Sequence, residues 1–240
     1  MPLRSPLQAR PADPFIRWMV GDREPPALVA QGGNVAWLGR ASRPGEAWIT
    51  GLGDDPEVVA SLVVQLDADH RVDGITVPED AFDLLPERLR SPDPGHWCFW
   101  MLDPAEAVLG STVAVDLAMD DPRIGVLLEA SDSAYIFPGD PRLVRWAGVV
   151  DGSRLVSVAG QVTEPSGAAH LVSVCTDPAV RGRGLARDAC LGIMTAAVAD
   201  GAPMLVLEMY VANEAGRRAY SALGFTEVRR FRTGLLRPAS

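Results

Sequence analysis

The stretch Val174–Ala186 reads Val-Cys-Thr-Asp-Pro-Ala-Val-Arg-Gly-Arg-Gly-Leu-Ala, and it constrains the fold more than any other part of the chain. A β-branched apolar run containing Leu171, Val172 and Val174 stops at Pro178, which cannot donate to a strand ladder. Arg181, Gly182, Arg183 and Gly184 then lead directly into a helical pattern that starts at Leu185. Strand, glycine-rich turn and helix N-terminus in that order make an anion site. The first N–H groups of a helix lack intrahelical partners, its dipole adds partial positive charge, and glycine lets an oxyanion reach the backbone. Arg181, Arg183 and Arg187 strengthen the field, and cations placed there oppose the dipole unless an anion lies between them. A pyrophosphate suits such a site.

Two common pyrophosphate loops do not fit. A P-loop ends in Gly-Lys-Ser/Thr, where this chain has Gly184, Leu185 and Ala186. A dinucleotide loop wants a small residue where Arg187 stands. A second element follows downstream. The apolar strand Met204–Met209 leads through Tyr210, Val211 and Ala212 to Asn213, a helix over Glu214–Leu223, then Gly224 and Phe225. Asn213 is placed as an N-cap and Gly224 as a left-handed C-terminal residue.

Arg181-x-x-Gly184-x-Ala186 resembles the Arg/Gln-x-x-Gly-x-Gly/Ala signature of the GNAT-type N-acetyltransferases. Asn213 with Ala219, Tyr220, Gly224 and Phe225 resembles that family's second motif, and the two lie in the family's order. The resemblance covers roughly the second half of the chain, with Arg142–Gln161 supplying its earlier strands; the first half carries no motif of this kind. It implies an α/β fold with a mixed, largely antiparallel sheet flanked by helices, open in a V between the fourth and fifth strands. The expected division is a divergent N-terminal α/β region over 1–120, forming an acceptor wall, and an acetyl-CoA-binding catalytic domain over 121–240. The first half echoes the second loosely enough to be a degenerate GNAT-like copy.

What the resemblance implies chemically is acetyl transfer from acetyl-CoA to a primary amine, by direct attack through a tetrahedral intermediate. Arg181, Gly182, Arg183, Gly184, Leu185, Ala186 and Arg187 would hold the pyrophosphate. Backbone groups of Val174, Cys175 and Thr176 would receive the pantetheine arm and polarise the thioester, and Asn213 would add a hydrogen bond. Tyr220 would protonate the departing thiolate, since a phenol keeps its proton at neutral pH. Cys175 could instead be a nucleophile, but a strand cysteine among apolar neighbours is more often inert core. The general base is open among Glu208, Glu164, Asp177 and His170. The rivals are a non-catalytic coenzyme A-binding domain, and transfer to a hydroxyl or of a longer acyl chain. No metal is expected, and the acceptor is a small-molecule or peptide amine.

Composition sets outer bounds. A net charge of −9 argues against nucleic acid as the main partner. Three cysteines do not make a disulfide framework in 240 residues. The Pro- and Arg-rich start has no apolar signal core, and no apolar run approaches a membrane span. A cytoplasmic protein, able to form homodimers, is the expectation. Residues 1–14 read as a disordered or loosely attached arm. Hairpins are expected at Gly32-Gly33 and Asp151-Gly152, and helices over Pro56–Leu66, Ile124–Ala130 and Leu185–Ala199. The tryptophans of the first half (Trp18, Trp37, Trp48, Trp97, Trp100) read as core packing rather than an acceptor cage.

Overall fold

The computed structural model describes residues 3–40 and 46–236. In chain order they form α1 (Pro6–Ala9), β1 (Leu28–Gln31), β2 (Asn34–Arg40), β3 (Ala47–Leu52), α2 (Pro56–His70), β4 (Gly74–Pro78), α3 (Glu79–Phe82), β5 (Gly95–Leu102) and β6 (Val115–Leu117). Then come α4 (Pro122–Leu128), β7 (Leu143–Asp151), β8 (Arg154–Thr163), β9 (Ala169–Thr176), α5 (Leu185–Ala199), β10 (Leu205–Tyr210), α6 (Glu214–Ala222) and β11 (Thr226–Leu235). They gather into two compact units, each discontinuous in sequence. One holds the chain up to Phe99, Met209–Ala212 and the residues from Val228; the other holds Trp100–Glu208 and Asn213–Glu227.

In the first unit, β1 and β2 form a hairpin whose turn residues Gly32 and Gly33 both have positive φ, 59° and 81°. Such a turn matches the right-handed twist of its strands, and only glycine adopts it freely. β3 pairs antiparallel with β2, and β4 returns parallel to β3 after α2. β11 adds antiparallel to β4. Asp55 caps α2 by accepting from the amides of Glu57 and Val58, and Pro56 pre-sets the first turn. α2 then buries Val59, Leu62, Val63 and Leu66 among Ile49, Ile75 and Val77, each such side chain contributing about 1.5–3 kcal/mol. Trp37 is buried and Trp97 stacks on Phe231 with centroids 4.4 Å apart, so these rings pack the core.

The N-terminal arm is a correction to the sequence reading. From Ser5 to Asp13 it is pinned rather than loose; Met1 and Pro2 lie outside the described residues. Ser5 and Asp13 are buried. Ser5 bonds Asp22, while the Asp13 carboxylate accepts from the Ile16 amide and pairs with Arg10 and Arg229 at 3.3 and 3.4 Å. The buried Phe15 and Ile16 that follow draw the segment onto the unit, and its prolines lower the entropy cost of ordering it.

In the second unit the sheet order is β6-β7-β8-β9-β10. β7 and β8 form a hairpin with Gly152 at φ 60°, β9 pairs antiparallel with β8, and β10 returns parallel to β9 after α5. The fold is mixed α/β, as expected. Ala147 faces α5, close enough that a Cβ on Gly192 would lie 2.9 Å from its methyl carbon. Its neighbour Trp146 points to the other face and joins Ile124, Leu127 and Leu128 of α4 in a buried cluster with Val158, Val162 and Val172. The short exposed strand β6 was not foreseen; its three residues carry too little pattern to announce themselves. Both units thus run three antiparallel strands, a helix, and a strand parallel to the third.

Candidate functional site

β9 and β10 pair over only three positions, from Ala169–Leu205 to Leu171–Leu207, and the register ends there. The cause lies in β9. Ser173 has φ 49°, a left-handed value that serine rarely takes, and the β8–β9 register shifts beside it. A bulge of this kind bends its strand and ends pairing. Two bonds hold it: the Ser173 hydroxyl donates to the Ile136 carbonyl at 2.8 Å and accepts from the Ile136 amide at 3.1 Å. The edge of β9 from Val172 onward therefore has no β10 partner, which leaves the expected V.

Val174, Cys175 and Thr176 lie on that opened edge. The Cys175 side chain points away from it, buried in the α4 cluster with its thiol 3.3 Å from the Leu127 carbonyl. Burial pushes that thiol upward from its ordinary value, so it is not a ready nucleophile. Ser157 donates to the Cys175 carbonyl, and the Arg181 guanidinium donates to the Thr176 carbonyl at 3.1 Å.

Asp177 caps the following turn through the Ala179 amide and pairs with Arg154, so its carboxylate is engaged. Gly182 and Gly184 have φ 79° and 80°, and a Cβ on either would meet nothing within 4 Å. Gly184 stands at the N-cap of α5 with no side-chain cap. The first N–H groups of α5 thus have neither an intrahelical acceptor nor a capping oxygen. Arg181, Arg183 and Arg187 are exposed around them. Open space, free donors and flanking guanidinium groups fit a pyrophosphate.

The matching turn of the first unit is closed. Asn34 Oδ1 accepts from the amides of Asp54 and Asp55 at 3.0 Å each, and the Asp55 carboxylate caps α2. A negative, fully bonded helix start does not attract an anion.

α6 begins at Asn213, whose Oδ1 accepts from the Gly216 amide at 2.8 Å. A Cβ on Gly216 would fall 2.6 Å from the Asn213 side-chain nitrogen, so a larger residue there would displace the capping side chain. Tyr220 is buried on α6, with its ring edge-on to Phe225 at 6.2 Å. Burial and the nearby Cys190 push its phenol well above the ordinary value of 10.0, so it keeps its proton.

Among the base candidates, Glu208 stands just past the last β9–β10 pair. Burial pushes its carboxyl above the usual range, with His170 opposing and Glu164 reinforcing the shift. Glu164 instead holds His170, Oε1 to Nδ1 at 2.8 Å. Ser173 and Tyr135 were missed by sequence reasoning. Nothing in a strand serine announces a positive φ, and Tyr135 sits in a loop whose place depends on the fold.

The model of the Acetyltransferase (GNAT) family matches residues 114–225, which span the opened edge, the glycine turn and α6. Residues 114–225 form a GNAT acetyltransferase domain. GNAT acetyltransferases use acetyl-CoA as cosubstrate. Solved structures carry the same fold. One, assigned to the GNAT family from Novosphingobium aromaticivorans, is 22% identical with TM-score 0.54 and covers 98% of this chain and 97% of its own. GCN5-related N-acetyltransferases from Kribbella flavida and Sphaerobacter thermophilus align with TM-scores 0.59 and 0.56 at 14% and 15% identity. The first alignment covers 89% of this chain and 90% of that one, the second 86% and 78%. No curated protein matches the chain. Among the described residues no helix is long and apolar enough to cross a membrane, and no group of three or more His, Cys, Asp or Glu could hold a metal.

Proposed function

We propose that the chain transfers an acetyl group from acetyl-CoA to a primary amine on a small molecule or peptide. One observation carries the reading above the others: the uncapped start of α5, with two left-handed glycines, directly follows a strand edge that Ser173 turns away from its neighbour. In this reading the N–H groups at the start of α5 take the pyrophosphate, with Arg181, Arg183 and Arg187 around it. The Val174–Thr176 edge receives the amides of the pantetheine arm, and a backbone N–H there polarises the thioester carbonyl. The Asn213 amide adds a donor.

The neutral amine attacks the carbonyl carbon, forming an N–C bond. Glu208 takes the proton that the nitrogen must lose, a task its raised carboxyl suits because the base then works nearer neutral pH. As the C–S bond breaks, Tyr220 gives its proton to the sulfur; both side chains then exchange protons with solvent. The net charge of −9 draws cationic amines toward the protein. Cys98, Cys175 and Cys190 are buried and none is in a disulfide among the described residues, which suits a cytoplasmic setting.

The test is thiol release from acetyl-CoA across a panel of amines. Tyr220→Phe is expected to lower kcat by at least about tenfold while acetyl-CoA affinity stays. A domain that only binds coenzyme A would release no thiol with any amine.

A further inference from the structure

His170 is buried, its side chain only 3% exposed, and acetyl transfer as drawn gives it no task. It lies opposite Val162 on β8 and Val206 on β10, so it shares the α4 face of the sheet with both. Glu208 is two residues beyond Val206 and points to that same face, a diagonal neighbour of the imidazole. Behind His170, Glu164 holds Nδ1 at 2.8 Å. Glu164 is itself fixed by a tight turn, its amide bonded to the Ala168 carbonyl and its carbonyl accepting from Gly167. The order is carboxylate, imidazole, carboxylate, from a rigid turn to the mouth of the V.

We propose that Glu164 and His170 form a positioning pair that sets an imidazole beside Glu208, so that its carboxylate is ready for the acceptor's proton. Burial alone pushes the Glu208 carboxyl upward, toward the protonated form that cannot act as a base. Glu164 fixes the ring through Nδ1, and His170 draws the Glu208 carboxyl downward against its burial. Tyr135, from the α4–β7 connection, completes the set of groups facing Glu208, with Arg142 and Asp140 beyond it. The proposal rests on the acetyl-transfer reading for what the carboxylate does.

The experiment is a carbon-13 titration of glutamate carboxyls in the free protein, with the Glu208 signal identified by its loss in Glu208→Gln. His170→Asn keeps a donor near the Nδ1 position while removing the imidazole; His170→Gln is the second variant should the first not fold. The Glu208 midpoint is expected to rise by about 1 pH unit or more in either variant. Acetyl transfer should fall on the acid side of its pH profile and return at higher pH, a recovery that a merely structural role would not give. An unmoved midpoint in a folded variant overturns the proposal. If wild type turns over an amine and the midpoint does not move, the pair falls and the transfer reading stands. If the midpoint moves and wild type acetylates no amine, the charge coupling stands and the transfer reading falls.

Discussion

Ser173 and Ile136 are joined by two hydrogen bonds, hydroxyl to carbonyl at 2.8 Å and amide to hydroxyl at 3.1 Å. One serine thereby satisfies both backbone groups of a buried residue and fixes a left-handed kink in β9. The kink ends the pairing with β10 and creates the opened edge on which acetyl-CoA is proposed to lie.

Ser173→Ala should therefore harm stability and binding together. It leaves two buried backbone groups unpaired, at about 1–3 kcal/mol each, and a chain of this size loses roughly 2–4 °C in Tm per kcal/mol. Differential scanning calorimetry checks the first effect, and titration with acetyl-CoA checks the second. A Tm unchanged within one degree would mean that the bulge holds itself.

Gly184→Glu separates folding from binding. Nothing within 4 Å blocks a side chain there, so the cost is confined to the left-handed φ of 80°, about 1–2 kcal/mol. Bulk and negative charge at the start of α5 should abolish coenzyme A binding in a folded protein, read by calorimetric titration against circular dichroism.

One acetyl-CoA should bind per chain despite the repeated topology. Asn34 and Asp55 already occupy the amides at the start of α2. Titration should give a stoichiometry near one. Asp55→Ala should cost about 1 kcal/mol as a lost cap without creating a second site.

Glu208→Gln should remove most activity, about a hundredfold or more for a lost general base, yet stabilise the fold at alkaline pH. Because burial raises this carboxyl, the folded chain holds its proton more tightly than the unfolded chain does. That contribution is fully present below the ordinary value of 4.5 and is lost as pH rises through the folded value. The variant's Tm advantage should therefore be largest near pH 8 and shrink toward acid. A constant difference across pH would rule out this role for burial.

Local chemistry made much of this legible. Gly32-Gly33 and Asp151-Gly152 announce their hairpins, Asn213 its cap, and Gly182 and Gly184 their left-handed turns. Glu208 could be nominated as the carboxylate within an otherwise apolar strand. What stayed hidden depends on distant partners. The N-terminal arm is held by Asp13 against Arg229, 216 positions away in the chain, and proline content says nothing of that. The Ser173 kink depends on a loop 37 residues earlier. His170 reads as any strand histidine until the parallel return of β10 brings Glu208 to its face.

The most direct measurement is thermal unfolding with acetyl-CoA, coenzyme A, ATP and NADPH added separately. At a hundred times its dissociation constant a ligand stabilises by about 2.7 kcal/mol, which for this chain is roughly 5–10 °C. The account predicts that only the two coenzyme A species raise the midpoint, and that Gly184→Glu cancels the rise. A rise with ATP alone, or with none of the four, would contradict the assignment of the Arg181–Arg187 turn.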